Sequence, residues 1–208
     1  MLIAGIDEAG RGAVLGPLVV AGVVISEDKI NRFKNIGVKD SKLLTKKRRS
    51  EIYSKILSYS TTYVRMVPPS KISGRNLNCI EKEVFSEVIK DACCDKIYID
   101  AFDTNIDRLY RELSSITDAE LFIEHKADLK YPVVSAASIV AKVVRDKEIM
   151  KLSMNSKIPL GSGYPSDPLT LNFLKYCRDR KNFPEFVRLS WKTVKRLMYS
   201  QTKLDNII

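Results

Sequence analysis

Four carboxylates lie at or just after the ends of segments that the sequence predicts to be buried strands. Asp7 and Glu8 end the apolar run that opens the chain. Asp100 ends "KIYID", and Asp128 follows "AELFIEH". Because the carboxyl ends of parallel strands meet at one edge of an open α/β sheet, these acids are expected to converge there. Clustered carboxylates repel one another unless a cation neutralises them, and an all-oxygen ligand set suits Mg²⁺ or Mn²⁺.

Most acids of this chain have a simpler interpretation. An acid at a strand end is usually a solvated turn residue or a helix cap, and this covers most of the 25 acids. Asp103, before "TNIDRLY", is expected to cap the following helix, and Asp40 in "VKDSK" is expected at a turn or a cap. From position alone, the four acids at the strand ends could form a metal site or be separate turn residues.

The stretch "DEAGRGAVLGP" constrains how the first two acids can act together. Consecutive side chains of a regular strand point to opposite faces, so the strand must end, twist or bulge between Asp7 and Glu8 if both serve one site. Gly10 and Gly12 make such a departure easier. With Gly16 they also imitate a dinucleotide-binding loop. We reject that interpretation, because a proline and a valine-rich strand follow instead of the helix that would hold a pyrophosphate.

Strands and helices must position these residues. Strands are predicted over residues 2–7, 15–26, 61–67, 96–100 and 119–125. Helices are predicted over residues 45–59, over "NLNCIEKEVFSEVIKDACC" and "IDRLYREL", and over residues 133–154, 168–180 and 190–200. This order predicts an α/β fold with a mixed five-stranded sheet flanked by helices. We expect a catalytic domain over residues 1–155 and a helical C-terminal region over residues 156–208 that packs on it and contributes to substrate binding.

Composition limits the class of protein. The 208 residues allow one large domain with an appendage, and 45% of them are hydrophobic. The formal net charge of +10 favours a polyanionic partner, nucleic acid first, although a merely basic protein is the alternative. Four cysteines without CxxC spacing and a single histidine favour a reduced, cytoplasmic chain without a zinc site. We expect neither a membrane span nor a signal peptide.

The helix that contains "SAASIVAKVVRD" carries a polar stripe. Its members are spaced at i, i+3, i+7 and i+10 and therefore share one face: Ser135, Ser138, Lys142 and Arg145. The stripe could be an ordinary solvated face. The functional interpretation is a surface that faces phosphates, with Lys142 as the best point-charge contact. The alanines of the same helix allow close packing on the sheet.

Two further features suggest contact with nucleic acid. Tyr164 lies in the loop "GSGYPSD", where it could cover the core or stack on a base or sugar. Residues 39–49 and 175–203 are rich in Lys and Arg, and either could be an ordinary solvated face. Aromatic residues interleave the second region, which favours a duplex-binding surface: Tyr176, Phe183, Trp191 and Tyr199. His125 is expected to be an ordinary strand histidine, with a proton-shuttle role as the alternative.

The same segments resemble the motifs of ribonuclease HII, the type 2 ribonuclease H. "GIDEAGRG…GPLVVAGV" resembles the N-terminal motif of that family, and "GVKDSKLL" and "YIDAFD" look like its next two segments. "EHKADLKYPVVSAASIVAKVVRD" resembles its longest motif. "GSGYPSD" and "RLSWKTV" resemble its archaeal members. The resemblance covers nearly the whole chain, with the motifs in the family's order.

The resemblance implies a role for several residues. It assigns a site for two Mg²⁺ or Mn²⁺ ions to Asp7, Glu8, Asp100 and Asp128. It assigns the grip on the strand at the RNA–DNA junction to Gly10, Arg11, Gly12 and Tyr164. The family often has two lysines in the "DSKKL" segment, whereas this chain has Leu43, so any phosphate contact there is left to Lys42.

The resemblance also implies an activity. A ribonuclease H-like fold would cleave the RNA strand of RNA–DNA hybrids and would incise 5′ to single ribonucleotides in duplex DNA, leaving 5′-phosphate and 3′-hydroxyl ends. Such an enzyme would act in DNA repair and replication as a cytoplasmic monomer. Two alternatives remain at this point: another ribonuclease H-like nuclease such as a resolvase, and a non-catalytic nucleic-acid-binding module.

Overall fold

The central sheet contains five strands in the order β3-β2-β1-β4-β5. We describe it from a computed structural model, which covers residues 1–38 and 45–205. The strands are β1 (Leu2–Ala9), β2 (Leu18–Ser26), β3 (Thr61–Val67), β4 (Lys96–Asp100) and β5 (Glu120–Glu124). β1 pairs antiparallel with β2 and parallel with β4, which in turn pairs parallel with β5. The sheet is mixed, which confirms the predicted fold class.

Helices account for most of the remaining described chain. They are α1 (Asn31–Ile36), α2 (Lys46–Tyr59), α3 (Pro69–Ile72), α4 (Leu77–Ala92), α5 (Ile106–Ser114), α6 (Ala127–Lys130), α7 (Pro132–Met154), α8 (Pro168–Asp179) and α9 (Lys192–Asp205). Polar caps begin several of them. The Thr45 hydroxyl accepts a hydrogen bond from the Arg48 amide at 3.2 Å, and Asp167 accepts one from the Leu169 amide at 2.9 Å. Within the described residues, no helix is long and apolar enough to cross a membrane.

Helix α7 lies directly on β1. A Cβ added at Gly5 would lie 2.3–2.5 Å from backbone atoms of Val133 and Val134, so only glycine allows this approach. Two residues of strand and four to five residues of helix both advance ~7 Å, so the helix reaches Ser138 at the level of Asp7. The β1–α7 contact therefore aligns the polar stripe of the helix with the first acid of the strand.

Most predicted elements are present, and the differences have local causes. The second strand begins at Leu18 rather than at residue 15, because Gly16 has a left-handed φ of 77° and Pro17 follows it. Helices α1, α3 and α6 were not predicted, because six or four residues are too few to show a helical period. Asp40 lies outside the described residues.

The prediction that Asp103 caps α5 is wrong. The N-cap of α5 is Asn105, whose side chain accepts a hydrogen bond from the Arg108 amide at 2.9 Å. Asp103 instead accepts hydrogen bonds from the Asn105 amide and from the Asn78 side chain, and it forms an ion pair with Arg108. It therefore stabilises the turn that leads into the cap.

The chain forms two compact units. One comprises residues 1–9, 19–66 and 77–144, as far as they are described, and contains the sheet. The other comprises residues 10–18, 67–76 and the chain from Arg145 onwards. Its core combines residues of the loop after β1 with residues of the C-terminal helices: Val14, Leu15, Ile149, Leu160, Phe173, Leu174, Cys177, Val187 and Val194. By packing, the division falls within α7. The catalytic domain over residues 1–155 and the helical region over residues 156–208 remain a prediction.

Candidate active site

Asp7 and Asp100 lie on neighbouring parallel strands at the same level of the sheet. Ile6 pairs with Ile99 in the register of β1 and β4, so each acid follows directly after a matched pair. Asp7 is 6% exposed. Its burial, followed by the negative charge of Asp100 and, to a lesser degree, that of Glu8, raises the pKa of Asp7 from 3.8 to about 8. A bound cation would stabilise this buried carboxylate beside its like charge.

The Asp7 carboxylate is oriented by two hydrogen bonds. One oxygen, Oδ1, accepts from the Glu8 backbone amide at 2.7 Å. The Ser138 hydroxyl also donates to Asp7 and thereby lowers the pKa of that carboxyl. Ser138 in turn accepts a hydrogen bond from Lys142 Nζ at 2.7 Å. Lys142 and Ser138 of helix α7 and the Asp7 carboxylate of β1 therefore form one hydrogen-bonded row.

Asp100 is tied to the segment that carries the fourth acid. Its Oδ1 accepts a hydrogen bond from the Ala127 amide at 3.0 Å. Asp128 is the next residue and is 3% exposed. The turn before it requires Lys126 to adopt a left-handed φ of 59°. Asp100 therefore lies next to Asp7 on the neighbouring strand. It also accepts a hydrogen bond from the residue that precedes Asp128.

Glu8 does not depart from the strand. β1 remains paired beyond Asp7, with Glu8 opposite Val20 and Ala9 opposite Val19. The pairing of β1 with β2 therefore continues without interruption between Asp7 and Glu8. In such a regular strand the two neighbouring side chains point to opposite faces. Glu8 is partly buried, and its charge still contributes to the raised pKa of Asp7. The single histidine, His125, is exposed in the turn after β5.

The four acids suit a divalent metal by their chemistry. In residues 1–38 and 45–205, no three His, Cys, Asp or Glu side chains are gathered into a metal-holding group. The donor set is nevertheless made of carboxylates alone, which is what Mg²⁺ and Mn²⁺ prefer. Burial, followed by the negative charge of Asp100, raises the pKa of Asp7, and a nearby cation would favour its ionised form. By their chemistry, these residues fit a hard dication.

The Gly10-Arg11-Gly12 loop begins the second unit, and its two glycines differ. Gly10 has a φ of 95°, and an added Cβ would lie 2.7 Å from the Pro17 carbonyl oxygen and 2.8 Å from the Arg145 side chain. Gly12 is exposed, and an added Cβ would meet nothing within 4 Å. Gly10 is therefore required by the loop itself, whereas the protein's own packing does not require Gly12.

Tyr164 lies on a buried arginine. The Arg145 guanidinium carbon is 4.4 Å from the centroid of the Tyr164 ring, and Nη2 donates to the Ser162 carbonyl at 2.9 Å. Arg145 is 2% exposed, while Tyr164 is partly exposed. Arg145 therefore supports the loop of Tyr164, and its guanidinium is not placed for the phosphate contact expected from the sequence.

The rest of the polar stripe is also largely committed to the protein. Ser135 is fully buried and donates to the Val38 carbonyl, and Ser138 is fully buried beside Asp7. Lys142 alone among the four stripe residues is partly exposed. A phosphate contact from this stripe therefore remains a proposal for Lys142. The other lysine expected to contact phosphate, Lys42, lies outside the described residues.

Aromatic residues of the basic C-terminal region serve mainly in packing. Tyr176, Phe183 and Trp191 are partly buried against the core of the second unit. Tyr199 is 71% exposed and is the member of this group that could meet a ligand directly. Most of the aromatic side chains that interleave with basic residues in this region therefore pack inward, from α8 and from the segment between α8 and α9.

One residue that the sequence did not single out is Arg188. It is fully buried, and its Nε and Nη1 donate to the carbonyls of Gly16 and Arg11 at 3.0 and 3.3 Å. Its guanidinium also lies 4.9 Å from the centroid of the Trp191 ring. In the motif "RLSWKTV" the tryptophan is the one residue that hints at a buried arginine. The same motif is equally compatible with an exposed arginine, so the sequence does not predict the burial of Arg188.

Known structures share this fold. The crystal structure of ribonuclease H2 from Pyrococcus horikoshii superposes with a TM-score of 0.89 at 41% identity, covering 98% of this chain and all of that one. The ribonuclease HII in the PCNA:RNase HII complex from Archaeoglobus fulgidus superposes with a TM-score of 0.88 at 44% identity, covering 94% and 96% of the two chains. The fold and the acids at its strand ends define a ribonuclease H-like nuclease.

Sequence comparison identifies the family. The family model described as ribonuclease HII matches residues 4–194. The ribonuclease HII of Pyrococcus furiosus is 47% identical over 208 residues, which cover 95% of this chain and 91% of that protein. The chain belongs to the ribonuclease HII family and is a ribonuclease H, a hydrolytic endonuclease. A non-catalytic binding module and a resolvase are therefore not the class of this protein.

Proposed function

We propose that this ribonuclease H cleaves the RNA strand of RNA–DNA hybrids and incises 5′ to single ribonucleotides embedded in duplex DNA, leaving 5′-phosphate and 3′-hydroxyl ends. The observation that carries the proposal is the pair of Asp7, which is buried, and Asp100, which is partly buried, at the same level of neighbouring parallel strands. The chain leads from Asp7 into a glycine loop whose Gly12, five residues later, is exposed. A carboxylate pair can hold the metal ions that promote phosphodiester hydrolysis. An exposed glycine backbone can approach a sugar closely enough to form hydrogen bonds with it.

The metal requirement follows from the carboxylates. Asp7, Glu8, Asp100 and Asp128 would hold Mg²⁺ or Mn²⁺, with two ions proposed. When bound, such ions polarise the phosphate, generate a nucleophilic hydroxide from water and neutralise the leaving oxygen. Asp7 must be ionised for this role. The Ser138 hydroxyl supports the ionised form by donating to the carboxylate, and the Glu8 amide fixes its orientation.

Recognition of the ribose is proposed for the Gly10-Arg11-Gly12 backbone. RNA differs from DNA by the 2′-hydroxyl, which both donates and accepts hydrogen bonds, so an amide and a carbonyl together can read it. Gly12 is exposed and carries no side chain, so another backbone or a sugar can approach closely. Tyr164 offers a partly exposed ring for stacking at the junction, held by Arg145 beneath it.

Affinity for the duplex is proposed to come from the net charge of +10. The expected surfaces are the basic regions at residues 39–49 and 175–203, together with Lys142. We propose that the protein acts as a cytoplasmic monomer in DNA repair and replication. The Archaeoglobus fulgidus relative is described in a complex with PCNA, which makes a sliding clamp a candidate partner that size-exclusion chromatography of the mixture would test.

Cleavage of three matched duplexes tests the proposed activity. One contains a single ribonucleotide, one is a uniform RNA–DNA hybrid and one is entirely DNA. We expect Mg²⁺ or Mn²⁺ to be required, the first two duplexes to be cut, and the DNA duplex to remain intact. Ligation and primer extension of the products would identify the 5′-phosphate and 3′-hydroxyl ends.

Two variants complete that experiment. Asp100→Asn should abolish cleavage of both cut substrates, because it removes a proposed ligand while keeping the side-chain shape. Asp118→Asn, at an exposed acid before β5, is the matched control and should cleave normally. Near-normal cleavage by Asp100→Asn, or cleavage in the presence of EDTA, would contradict the proposed metal site.

A further inference from the structure

Arg188 joins two segments that are far apart in the chain. Its Nη1 donates to the Arg11 carbonyl, 177 residues earlier, and its Nε donates to the Gly16 carbonyl, 172 residues earlier. Its backbone amide donates to the Val14 carbonyl at 2.9 Å. One arginine therefore makes three hydrogen bonds to the loop that follows β1.

The guanidinium is held firmly in this position. Arg188 is fully buried, and Trp191 covers its planar group at 4.9 Å. Burial of a charged group costs free energy unless hydrogen bonds compensate the lost hydration. The two loop carbonyls that accept from the Arg188 guanidinium offset part of this cost. A planar fork with several donors can hold two carbonyls at once, which a lysine cannot do in the same geometry.

The bond to Arg11 orients the next amide. The structure contains no cis peptide bond among its described residues, so the Arg11 carbonyl and the Gly12 N–H point in opposite directions across one planar unit. The buried Arg188 guanidinium holds the Arg11 carbonyl in a partly buried hydrogen bond. The Gly12 N–H consequently points away from Arg188, at a residue that is exposed and where an added Cβ would meet nothing within 4 Å.

We propose that Arg188 is the positioning residue for 2′-hydroxyl recognition: by holding the Arg11 carbonyl, it directs the Gly12 amide towards the ribose. This inference rests on the proposed function, because it names the group that prepares the same loop for its substrate. Arg188 itself touches no substrate in this scheme. Its loss should therefore lower the preference for ribose and leave phosphate contacts unchanged.

Binding to two duplexes tests this role in the full-length chain. The duplexes differ in a single 2′-hydroxyl, and affinity is measured by fluorescence anisotropy in the cleavage-deficient Asp100→Asn background at fixed salt with Mg²⁺. We expect Arg188→Met to reduce the preference for the ribonucleotide duplex by roughly 3- to 10-fold, the worth of one hydrogen bond, with unchanged affinity for the DNA duplex. Arg32→Met is the matched control, since Arg32 also lies over an aromatic ring, at 5.3 Å from Tyr59, but on an exposed surface.

Each result has a defined meaning. Equal loss of affinity for both duplexes, or a preference that stays at the parent's level in a folded variant, would overturn the role of Arg188. If Arg188→Met does not fold, as thermal unfolding would show, Arg188→Lys decides, because it retains the buried charge but not the fork. A parent that shows no preference for ribose, although it unfolds normally, would instead overturn the proposed substrate and with it this inference.

Discussion

Ser138 donates a hydrogen bond to Asp7, from a helix to the strand on which it lies. Both residues are buried, and the serine also accepts a hydrogen bond from Lys142. The contact exists because Gly5 lets the backbone of α7 approach β1 two residues earlier. A small residue in the strand, Gly5, thus lets the helix place the Ser138 hydroxyl against Asp7, and Lys142 is hydrogen-bonded to that hydroxyl.

The first prediction concerns Ser138. Ser138→Ala removes a hydrogen bond that favours the ionised carboxylate, so the pKa of Asp7 should rise further. We expect the acidic limb of the pH–rate profile to move to higher pH by about half to one unit, the equivalent of one hydrogen bond. Cleavage should fall most at the acidic end of the range. Ser135→Ala is the control on the same helix, because its hydroxyl binds the Val38 carbonyl, and it should leave the profile in place. The same displacement in both variants would mean that the helix, not the hydroxyl, is responsible.

The second prediction concerns the stability of the metal-free protein. Because the pKa of Asp7 is raised from 3.8 to about 8, its favourable contribution is complete below pH 3.8 and is lost as the pH rises to about 8. Asp7→Asn stays neutral and should gain stability relative to the wild type across this window, by up to about 1.4 kcal/mol per pH unit. Denaturant unfolding in EDTA at pH 5 and pH 8 measures the difference, with Asp118→Asn as control. A difference that is constant with pH would contradict the raised pKa of Asp7.

The third prediction separates the two glycines of the loop. Gly12→Ala should unfold at the wild-type temperature, since its Cβ meets nothing within 4 Å, yet should cleave both substrates at least about 10-fold more slowly because the methyl group obstructs the sugar. Gly10→Ala should lower the melting temperature, because its φ of 95° and its close contacts do not accommodate a Cβ. Thermal unfolding and initial rates measured on the same preparations make the comparison. Wild-type cleavage by Gly12→Ala would show that the ribose does not approach this residue.

The fourth prediction concerns Tyr164. Tyr164→Ala should lower cleavage beside a single embedded ribonucleotide by roughly 10- to 100-fold, as expected for loss of a stacking contact. A uniform hybrid should lose less, because it offers many registers for binding. Tyr110→Ala, at an exposed tyrosine of α5, serves as the control. Equal losses on the two substrates would mean that the ring, which lies on Arg145, only supports its own loop.

The positions of the acids were accessible to sequence analysis because strand and helix patterns are local. Apolar runs predict β1, β4 and β5, and the rule that parallel strands end at one edge predicts that Asp7 and Asp100 lie together, as the register of β1 and β4 confirms. Small residues in α7 indicated close packing on the sheet, which the contact at Gly5 confirms. The motifs and their order likewise identified the family to which the chain belongs.

The roles of the arginines depended on the tertiary structure. Arg145 and Arg188 are 2% and 0% exposed, although sequence patterns place most arginines at the surface. An arginine can be buried only where carbonyls or rings from other segments meet its guanidinium. For Arg188 two of those carbonyls lie 177 and 172 residues away. Local sequence propensity does not predict these long-range hydrogen bonds. They form because the loop after β1 and the C-terminal segment pack into one core.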